Sequence, residues 1–489
     1  MPRGAIPSSR ARFLVWSMGV VLLGVVGAPL LSEAAAPETK QFRAGVAAGN
    51  ITPWLGGGLV GNFGTPPPAE YVHDELFARC FVLDDGSTRI ALVVIDSIYI
   101  SREVLDEAKR QVNEAIGLPT DRMLMSCTHT HSSVSARWGN PFRPEKEFTE
   151  YQQFVAHRIA DGIRCAVYNL QPARIAWGVV DQPDLLFNRR WLLKPGTELF
   201  NPFGEPDRAK MNPGPRPTLL RPAGPIDPQI AFLALETADG RPLGLLANYS
   251  LHYVGGTGGK QISADYFGVF SDRIQQLLQA DRLDPPYVAA MSNGTSGDVT
   301  NVNHAFARVR KKPYEQMRFV AHQCAEAVHE QYQNLTWHDR LPLGMRQREL
   351  ELAVRKPTAE QLARSQKLLD EPERPDKFPH ERAYANKAIQ QQESPDTVGV
   401  VLQAVRIGDL GIATIPFETF VETGLELKAR GPFKPTFTME LANGGYGYLP
   451  TPEQHELGGY ETWLGTNKVE VQASTKIVNA LLEMFSELK

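Results

Sequence analysis

Strand-like and helix-like patterns alternate through most of the chain. Residues 89–100 are apolar and rich in β-branched side chains, which predicts a strand that is covered on both faces. A helical pattern then runs from Ser101 to about Ile116 and ends at Gly117, and a second apolar strand follows at residues 122–125. Strand, helix and strand at this spacing predict a βαβ unit, in which ligands collect at the carboxyl ends of the strands.

Further strand patterns recur along the chain, and each of them runs into polar residues. They lie at residues 243–249, 287–291, 398–407, 410–415 and 436–441. A capping-box pattern at residues 149–152 predicts the start of a helix. The proline-rich stretch 181–228 predicts a long irregular insertion, and the charged stretch 357–393 predicts a solvated helical pair. We therefore predict an α/β fold with a central mixed sheet flanked by helices and a site at the carboxyl ends of strands.

The strand at residues 122–125 runs into two histidines, His129 and His131. Strand side chains alternate with period two, so two residues at this spacing can point to the same side. The pair suits two metal ligands, or one ligand and one proton-handling group, although a plain polar loop has the same pattern. His252 and Glu418 follow other predicted strands and are chemically suitable zinc ligands. Their separation along the chain leaves open whether they meet.

Composition and short motifs argue against several kinds of partner and binding site. The formal net charge is -4, which gives no reason to expect nucleic acid or an anionic membrane as a partner. Residues 56–61 satisfy G-x-G-x-x-G, but prolines flank them on both sides, so they are predicted to form a loop and not a dinucleotide site. The four cysteines show no C-x-x-C spacing, and Cys127 is interpreted as a small buried residue.

The N-terminus has the pattern of a signal peptide. Three arginines precede an apolar run at residues 13–31, and small residues follow it, with cleavage predicted after Ala34. An uncleaved membrane anchor is the alternative, since the run approaches the length of a membrane span. The glycines within the run favour a signal peptide at residues 1–34, so the mature protein is expected to be secreted or periplasmic.

Four motifs occur in the order found in the neutral/alkaline ceramidases, and the chain resembles that family over nearly its whole mature length. They are THTHS at residues 128–132, GDVT at 297–300, FET at 417–419, and NGGYGY at 443–448 followed by YE at 460–461. The resemblance implies a zinc amidase domain over residues 40–489. It also implies a short relative without the family's immunoglobulin-like C-terminal domain.

Carried over by position, the resemblance implies a set of metal ligands and a set of catalytic residues. The implied Zn²⁺ ligands are His129, His252, Glu418 and Tyr448. The implied catalytic residues are His131, Arg189, Tyr460 and Thr300. Thr300 departs from the family pattern, because it replaces a serine. A threonine keeps the hydroxyl but is stiffer, so attack by water is favoured over a threonine nucleophile.

The predicted function is hydrolysis of the N-acyl linkage of ceramide or a related N-acyl lipid by an exported, zinc-dependent enzyme. The predicted partner is a lipid or small-molecule substrate, with no nucleic acid and no protein partner. A zinc hydrolase of another ester or amide, such as an acylated sugar or a peptide conjugate, is the first alternative. A non-catalytic exported binding protein that keeps a structural metal site is the second.

Overall fold

The structure, a computed structural model, describes residues 41–61, 64–143, 145 and 147–489. The signal peptide predicted at residues 1–34 lies outside these residues. Within them, no helix has the length and apolar character that crossing a membrane requires.

The secondary structure alternates between strands and helices, as the sequence predicts. The strands are β1 (Arg43–Asn50), β2 (Tyr71–Val72), β3 (Phe77–Asp84), β4 (Arg89–Ile95), β5 (Met123–Cys127), β6 (Gln171–Asp181), β7 (Phe187–Asn188), β8 (Arg190–Leu193), β9 (Ala209–Met211), β10 (Leu219–Pro222), β11 (Gln229–Thr237), β12 (Pro242–Tyr249), β13 (Gln261–Ile262), β14 (Val288–Asn293), β15 (Val299–Thr300), β16 (Leu343–Ala353), β17 (Thr397–Ile407), β18 (Leu410–Ile415), β19 (Glu418–Thr419), β20 (Thr436–Glu440) and β21 (Tyr448–Leu449). The helices are α1 (Arg102–Ile116), α2 (Glu150–Tyr168), α3 (Asp265–Leu277), α4 (Glu315–Tyr332), α5 (Ala359–Asp370), α6 (Glu381–Gln392), α7 (Val421–Arg430), α8 (Pro452–Glu456) and α9 (Ala473–Glu487).

The predicted βαβ unit is present as β4, α1 and β5. The two strands pair in parallel, and Gly117 ends α1 in the left-handed region with φ of 70°. Glycine adopts this conformation without the strain that a Cβ would bring. The predicted capping box at the start of α2 also forms, with Thr149 and Gln152 each bonding the other's backbone. Local sequence signals therefore set these helix boundaries.

The largest sheet has the strand order β14-β12-β11-β6-β1-β3-β4-β5 and contains parallel and antiparallel pairs. In that order β12 and β5 are six positions apart, which in a flat sheet would separate them by about 29 Å. The sheet instead curls, so that Cα atoms of β14 come within 8 Å of those of β4 and β5. This curl brings the carboxyl ends of its two outer regions together.

A second sheet, in the order β16-β17-β18-β20, packs against the first. Its β17–β18 hairpin is the one predicted from residues 398–415, and β18 pairs with β20 in parallel. The apolar layer between the sheets joins Phe81 and Leu92 of the first with Val405, Ile412 and Phe437 of the second. Helices α1 to α4 cover the outer face of the large sheet, and α9 covers the small sheet.

The stretch 181–228 is more regular than predicted. It contains β8, β9 and β10, which form a small antiparallel sheet, and β7, which pairs with β15. These strands have two to four residues, too few to display the alternation that predicts a strand. The helical pair predicted within residues 357–393 is present as α5 and α6, which pack on each other.

Candidate active site

Three side chains that follow different strands lie close together. His129 follows β5, His252 follows β12, and Glu418 opens β19 directly after β18. The Nε2 atom of His129 lies 3.4 Å from Oε2 of Glu418, and Nε2 of His252 lies 3.9 Å from the same oxygen. The centroids of the two imidazole rings are 4.6 Å apart. The structure thus brings together residues that are far apart in sequence.

Backbone carbonyls orient both imidazole rings. Nδ1 of His129 lies 2.8 Å from the carbonyl oxygen of Ile98, and Nδ1 of His252 lies 3.0 Å from that of Ser296. A carbonyl oxygen can only accept a hydrogen bond, so Nδ1 carries the proton in each ring. Nε2 is therefore the atom that each ring directs toward Glu418.

The donor atoms at this point fit a bound cation. Nε2 of His252 and Oε2 of Glu418 are buried and have no hydrogen-bond partner among the described residues. Buried polar atoms are rarely left without a partner, and a shared cation would satisfy both of these. Two imidazole nitrogens and one carboxylate oxygen form a donor set that suits zinc. The carbonyl contacts on Nδ1 are the outer hydrogen bonds that metal-binding histidines usually make.

Burial and neighbours act in opposite directions on Glu418. Burial alone would raise the pKa of its carboxyl group, but His129, Tyr448 and Arg189 hold that pKa below its usual range. Tyr448 reaches this position because β19 pairs with β21, which sets Glu418 opposite Tyr448 in register. The fourth residue implied as a ligand therefore lies beside the third.

His131 stands next to His129 in the same cluster. Its Nε2 lies 3.1 Å from Nε2 of His129, and its ring stacks on that of Tyr253 with centroids 3.7 Å apart. A Cβ at Gly61 would come within 2.5 Å of the His131 ring, so the close approach requires glycine there. Burial, followed by the neighbouring His129, holds the pKa of His131 well below its usual range, so the ring is neutral at neutral pH.

The three imidazoles are close enough together to hold a metal ion. The possible ligand atoms of His129, His131 and His252 all lie within 4.8 Å of one another. The geometry thus admits His131 as a ligand or as a proton acceptor beside the ligands, the two roles that the sequence left open for the pair.

Arg189 also lies at the site, and an acidic residue fixes its orientation. Its Nε donates to Glu461 at 2.9 Å, and Arg190 donates to the other oxygen of the same carboxylate at 2.8 Å. The guanidinium group lies 5.3 Å over the ring of Tyr448. Burial would lower the pKa of Arg189, but Tyr448 and Glu461 raise it well above its usual value, so the side chain remains a cation.

Tyr460 completes this side of the site. Its ring meets that of Tyr448 edge to face, with centroids 5.7 Å apart. Burial raises its pKa, so the phenol keeps its proton. Tyr460, Tyr448, Glu418, His129 and His131 line one cleft of about 380 Å³.

Thr300 lies on the other side of the cluster. It pairs with Phe187 through β15 and β7, and it lines a cavity of about 470 Å³ together with Arg189 and His252. The GDVT turn that carries it packs tightly, since a Cβ at Gly297 would lie 2.6 Å from the carbonyl oxygen of Glu418. Thr300 therefore faces the site region without belonging to the His129–Glu418 group.

Two further residues at the site had no role assigned to them from the sequence. Glu440 ends β20 and accepts hydrogen bonds from Asn293, Ser296 and Thr419, which ties three strand ends together. Glu461 accepts hydrogen bonds from Arg189 and Arg190 and so fixes the orientation of Arg189. The sequence signals were that Glu440 is an acid within the strand predicted at residues 436–441, and that Glu461 belongs to the YE motif at residues 460–461. Cys127 is buried, which raises its pKa to about 12 and agrees with its interpretation as a non-nucleophilic residue.

Comparisons with known proteins identify the family and the fold. The model of the neutral/alkaline non-lysosomal ceramidase N-terminal domain matches residues 42–340. The crystal structure of a neutral ceramidase from Pseudomonas aeruginosa is similar, with a TM-score of 0.66 and 18% identity over 92% of this chain and 74% of that chain. A ceramidase complexed with C2 is also similar, with a TM-score of 0.66 and 16% identity over 92% of this chain and 75% of that chain.

These matches confirm the mixed α/β fold and the resemblance drawn from the four motifs. At such identities the solved structures establish the fold alone, whereas the family match covers more than half of the chain. The chain belongs to the neutral/alkaline non-lysosomal ceramidase family.

Proposed function

We propose that the protein is a zinc-dependent amidohydrolase that cleaves the N-acyl linkage of ceramide or a related N-acyl lipid to a fatty acid and an amine. The observation that carries the proposal is the convergence of His129, His252 and Glu418, with nitrogen-to-oxygen distances of 3.4 and 3.9 Å. Because the chain belongs to a ceramidase family, ceramide is the first candidate for the substrate.

The metal would be held by Nε2 of His129, Nε2 of His252 and the carboxylate of Glu418, with Tyr448 beside them. When bound, zinc supplies a Lewis acid that polarises a carbonyl group and lowers the pKa of water. The depressed pKa of Glu418 supports this assignment, because a ligand must be deprotonated.

His131 is the residue best placed to move protons. It is neutral at neutral pH, so its unprotonated ring nitrogen can accept a proton from the water that attacks the amide carbon. The same atom then donates that proton to the amide nitrogen as the carbon–nitrogen bond breaks. The stacked Tyr253 ring keeps the imidazole in place during both transfers.

Arg189 and Tyr460 would stabilise the negative charge that develops on the carbonyl oxygen. Arg189 stays cationic and is fixed by Glu461, and Tyr460 keeps its proton, so both are donors that need no rearrangement during the reaction. Thr300 lines the adjoining cavity with Arg189, a position that suits contact with substrate better than nucleophilic attack.

We also infer export to the periplasm or the medium. The support is the charged, apolar and small-residue pattern of residues 1–34. Export would place the enzyme where lipid amides from outside the cell are accessible.

The test measures bound zinc and hydrolysis of ceramide in the wild type and in His129→Ala. We expect one zinc per chain and measurable hydrolysis in the wild type, and loss of both in the variant. His157→Ala is the matched control, since His157 is exposed on α2. Retention of zinc and hydrolysis in His129→Ala would contradict the proposal.

A further inference from the structure

Three cationic side chains line the cleft that opens onto Glu418 and His131. They are Arg137, Lys387 and Lys468. Much of the remaining lining is polar and uncharged, as in Asn140 and Gln390. A binding site for two hydrocarbon chains would be expected to have an apolar lining. The polarity of this cleft therefore points to a different kind of substrate group.

No carboxylate among the described residues forms an ion pair with these three cations. Each is instead placed against an aromatic ring. The guanidinium carbon of Arg137 lies 4.7 Å from the ring centre of Tyr99, and Arg137 donates a hydrogen bond to the hydroxyl of Tyr99. Nζ of Lys387 lies 4.1 Å from the ring centre of Tyr384. Nζ of Lys468 lies 5.8 Å from the ring centre of Phe142. Four other lysines do pair with acids, as Lys476 does with Glu470 at 2.7 Å.

The three charges are near enough to repel one another. The pKa of Lys468 is lowered to about 8, first by burial and then by the positive charges of Arg137 and Lys387. Among the described residues, Glu418 is the single carboxylate that lines the cleft. One negative charge against three positive ones leaves an excess, and a divalent cation bound at Glu418 would add to it. A cleft lined by one sign of charge attracts the opposite charge.

We propose that this cleft binds a negatively charged group of the substrate, so that the preferred substrate is an N-acyl compound whose polar half carries a carboxylate or another oxyanion. The inference rests on the proposed amide hydrolysis and specifies the substrate of that same site. A neutral amine portion would leave the three cations without a counter-charge. An oxyanion would pair with them while the amide lies at the histidine cluster.

A set of matched substrates tests the proposal. N-dodecanoyltaurine and N-dodecanoylglycine carry a sulfonate and a carboxylate, and N-dodecanoylethanolamine is neutral with the same acyl chain. We expect the zinc-loaded protein to cleave at least one anionic compound with a kcat/KM about tenfold above that for the neutral one, the factor that 1.4 kcal/mol of ion pairing provides. The two anionic compounds distinguish a site for sulfonates from one for carboxylates.

Substitution of the lysines then assigns the preference to the cleft. Lys387→Met and Lys468→Met should each lower the anionic-to-neutral ratio of kcat/KM, chiefly through KM of the anionic compound. Lys367→Met is the matched control, because Lys367 is exposed on α5, and it should leave the ratio unchanged. An unchanged ratio in both cleft variants, or no preference in the wild type, would overturn the proposal even if amides are cleaved.

A binding measurement separates this proposal from the proposed function. Calorimetric titration of N-dodecanoyltaurine into the zinc-loaded protein requires no turnover. Tighter binding than the ethanolamide, weakened by Lys387→Met and by added salt, would support the anion site even if no amide is cleaved. Equal binding of the two compounds would contradict it.

Discussion

Glu418 and Glu440 are two buried carboxylates near the same strand ends, and their surroundings are opposite. Oε2 of Glu418 faces the imidazoles of His129 and His252 and has no hydrogen-bond partner among the described residues. Glu440 accepts hydrogen bonds from Asn293 at 2.8 Å, from Ser296 at 2.8 Å and from the backbone nitrogen of Thr419 at 2.7 Å. The carboxylate of Glu440 is surrounded by hydrogen-bond donors, whereas Oε2 of Glu418 lies against two imidazole nitrogens.

Burial acts on both carboxylates, but their partners decide the outcome. Burial raises the pKa of Glu440 well above its usual range, since its neutral donors do not offset the loss of water. For Glu418 the same effect of burial is outweighed by His129 and Tyr448, and its pKa falls. This contrast supports the proposed role of Glu418 as a metal ligand, whereas Glu440 ties together strand ends next to the proposed ligands.

The substitution Glu418→Gln should have the largest effect. The amide keeps the shape of the side chain but loses the charge, so zinc content should fall below one per chain. Hydrolysis should fall by more than about 100-fold, the upper end of what outer-shell partners of a metal cost. Elemental analysis and initial rates measure both, and a variant that retains full zinc and activity would remove Glu418 from the ligand set.

The proposed ligand role of Glu418 can be tested against His131, because Nε2 of His131 also lies close to Nε2 of His129, at 3.1 Å. If it serves as a proton carrier, His131→Gln should retain zinc and lose about 100-fold in kcat, within the usual range for general acid–base groups. Zinc loss in this variant, with zinc retained in Glu418→Gln, would give His131 the ligand role instead.

The substitution Glu440→Gln should lower stability more than metal content. The new amide group would direct its own N–H donors at the N–H and hydroxyl donors of Asn293, Ser296 and Thr419. The free energy of unfolding should fall by about 2 to 3 kcal/mol, the cost of leaving buried groups unpaired. Urea unfolding with chelator present isolates this effect from metal binding. An unchanged unfolding midpoint would show that the hydrogen-bonded layer does not hold the strand ends.

Asp265 is a third buried carboxylate, and it lies outside the histidine cluster. It accepts hydrogen bonds from the backbone nitrogens of Val254, Gly255 and Tyr266, and burial raises its pKa from 3.8 to about 6. A folded-state pKa above the unfolded value stabilises the fold below pH 3.8, and this contribution is lost as the pH rises toward 6. The loss amounts to about 2 to 3 kcal/mol.

Asp265→Asn is the matched variant, since asparagine tolerates the φ of 58° at this position. Its free energy of unfolding should lack the decline that the wild type shows between pH 4 and pH 6. Urea unfolding at several pH values compares the two profiles. Parallel profiles would assign the pH dependence to other groups.

The sequence predicted the parts of the fold that depend on local signals. Gly117 and the Thr149 capping box fixed helix ends, and the hairpin of β17 and β18 followed from its apolar arms. His129 was recognisable because it directly follows a buried strand. The short strands within residues 181–228 were missed, since they are too short to show alternation.

The meeting of the strand ends could not be predicted from local patterns. It depends on the curl of the large sheet, which brings His129 and His252 together although β5 and β12 are six strands apart. Four ordered motifs indicated the meeting of these residues, because they resemble the motifs of a known family whose site residues could be carried over by position. Glu440 and the cations of the cleft had no such motif, so their positions came only from the structure.

The most direct test of the account is the position of the metal itself. An anomalous difference map, recorded at the zinc edge on crystals of the zinc-loaded protein, locates the ion independently of activity. We expect a single strong peak in contact with Nε2 of His129, Nε2 of His252 and the carboxylate of Glu418. A peak that contacts none of these three atoms, or no peak within the cluster, would contradict the claim that the curled sheet builds a metal-dependent hydrolase site.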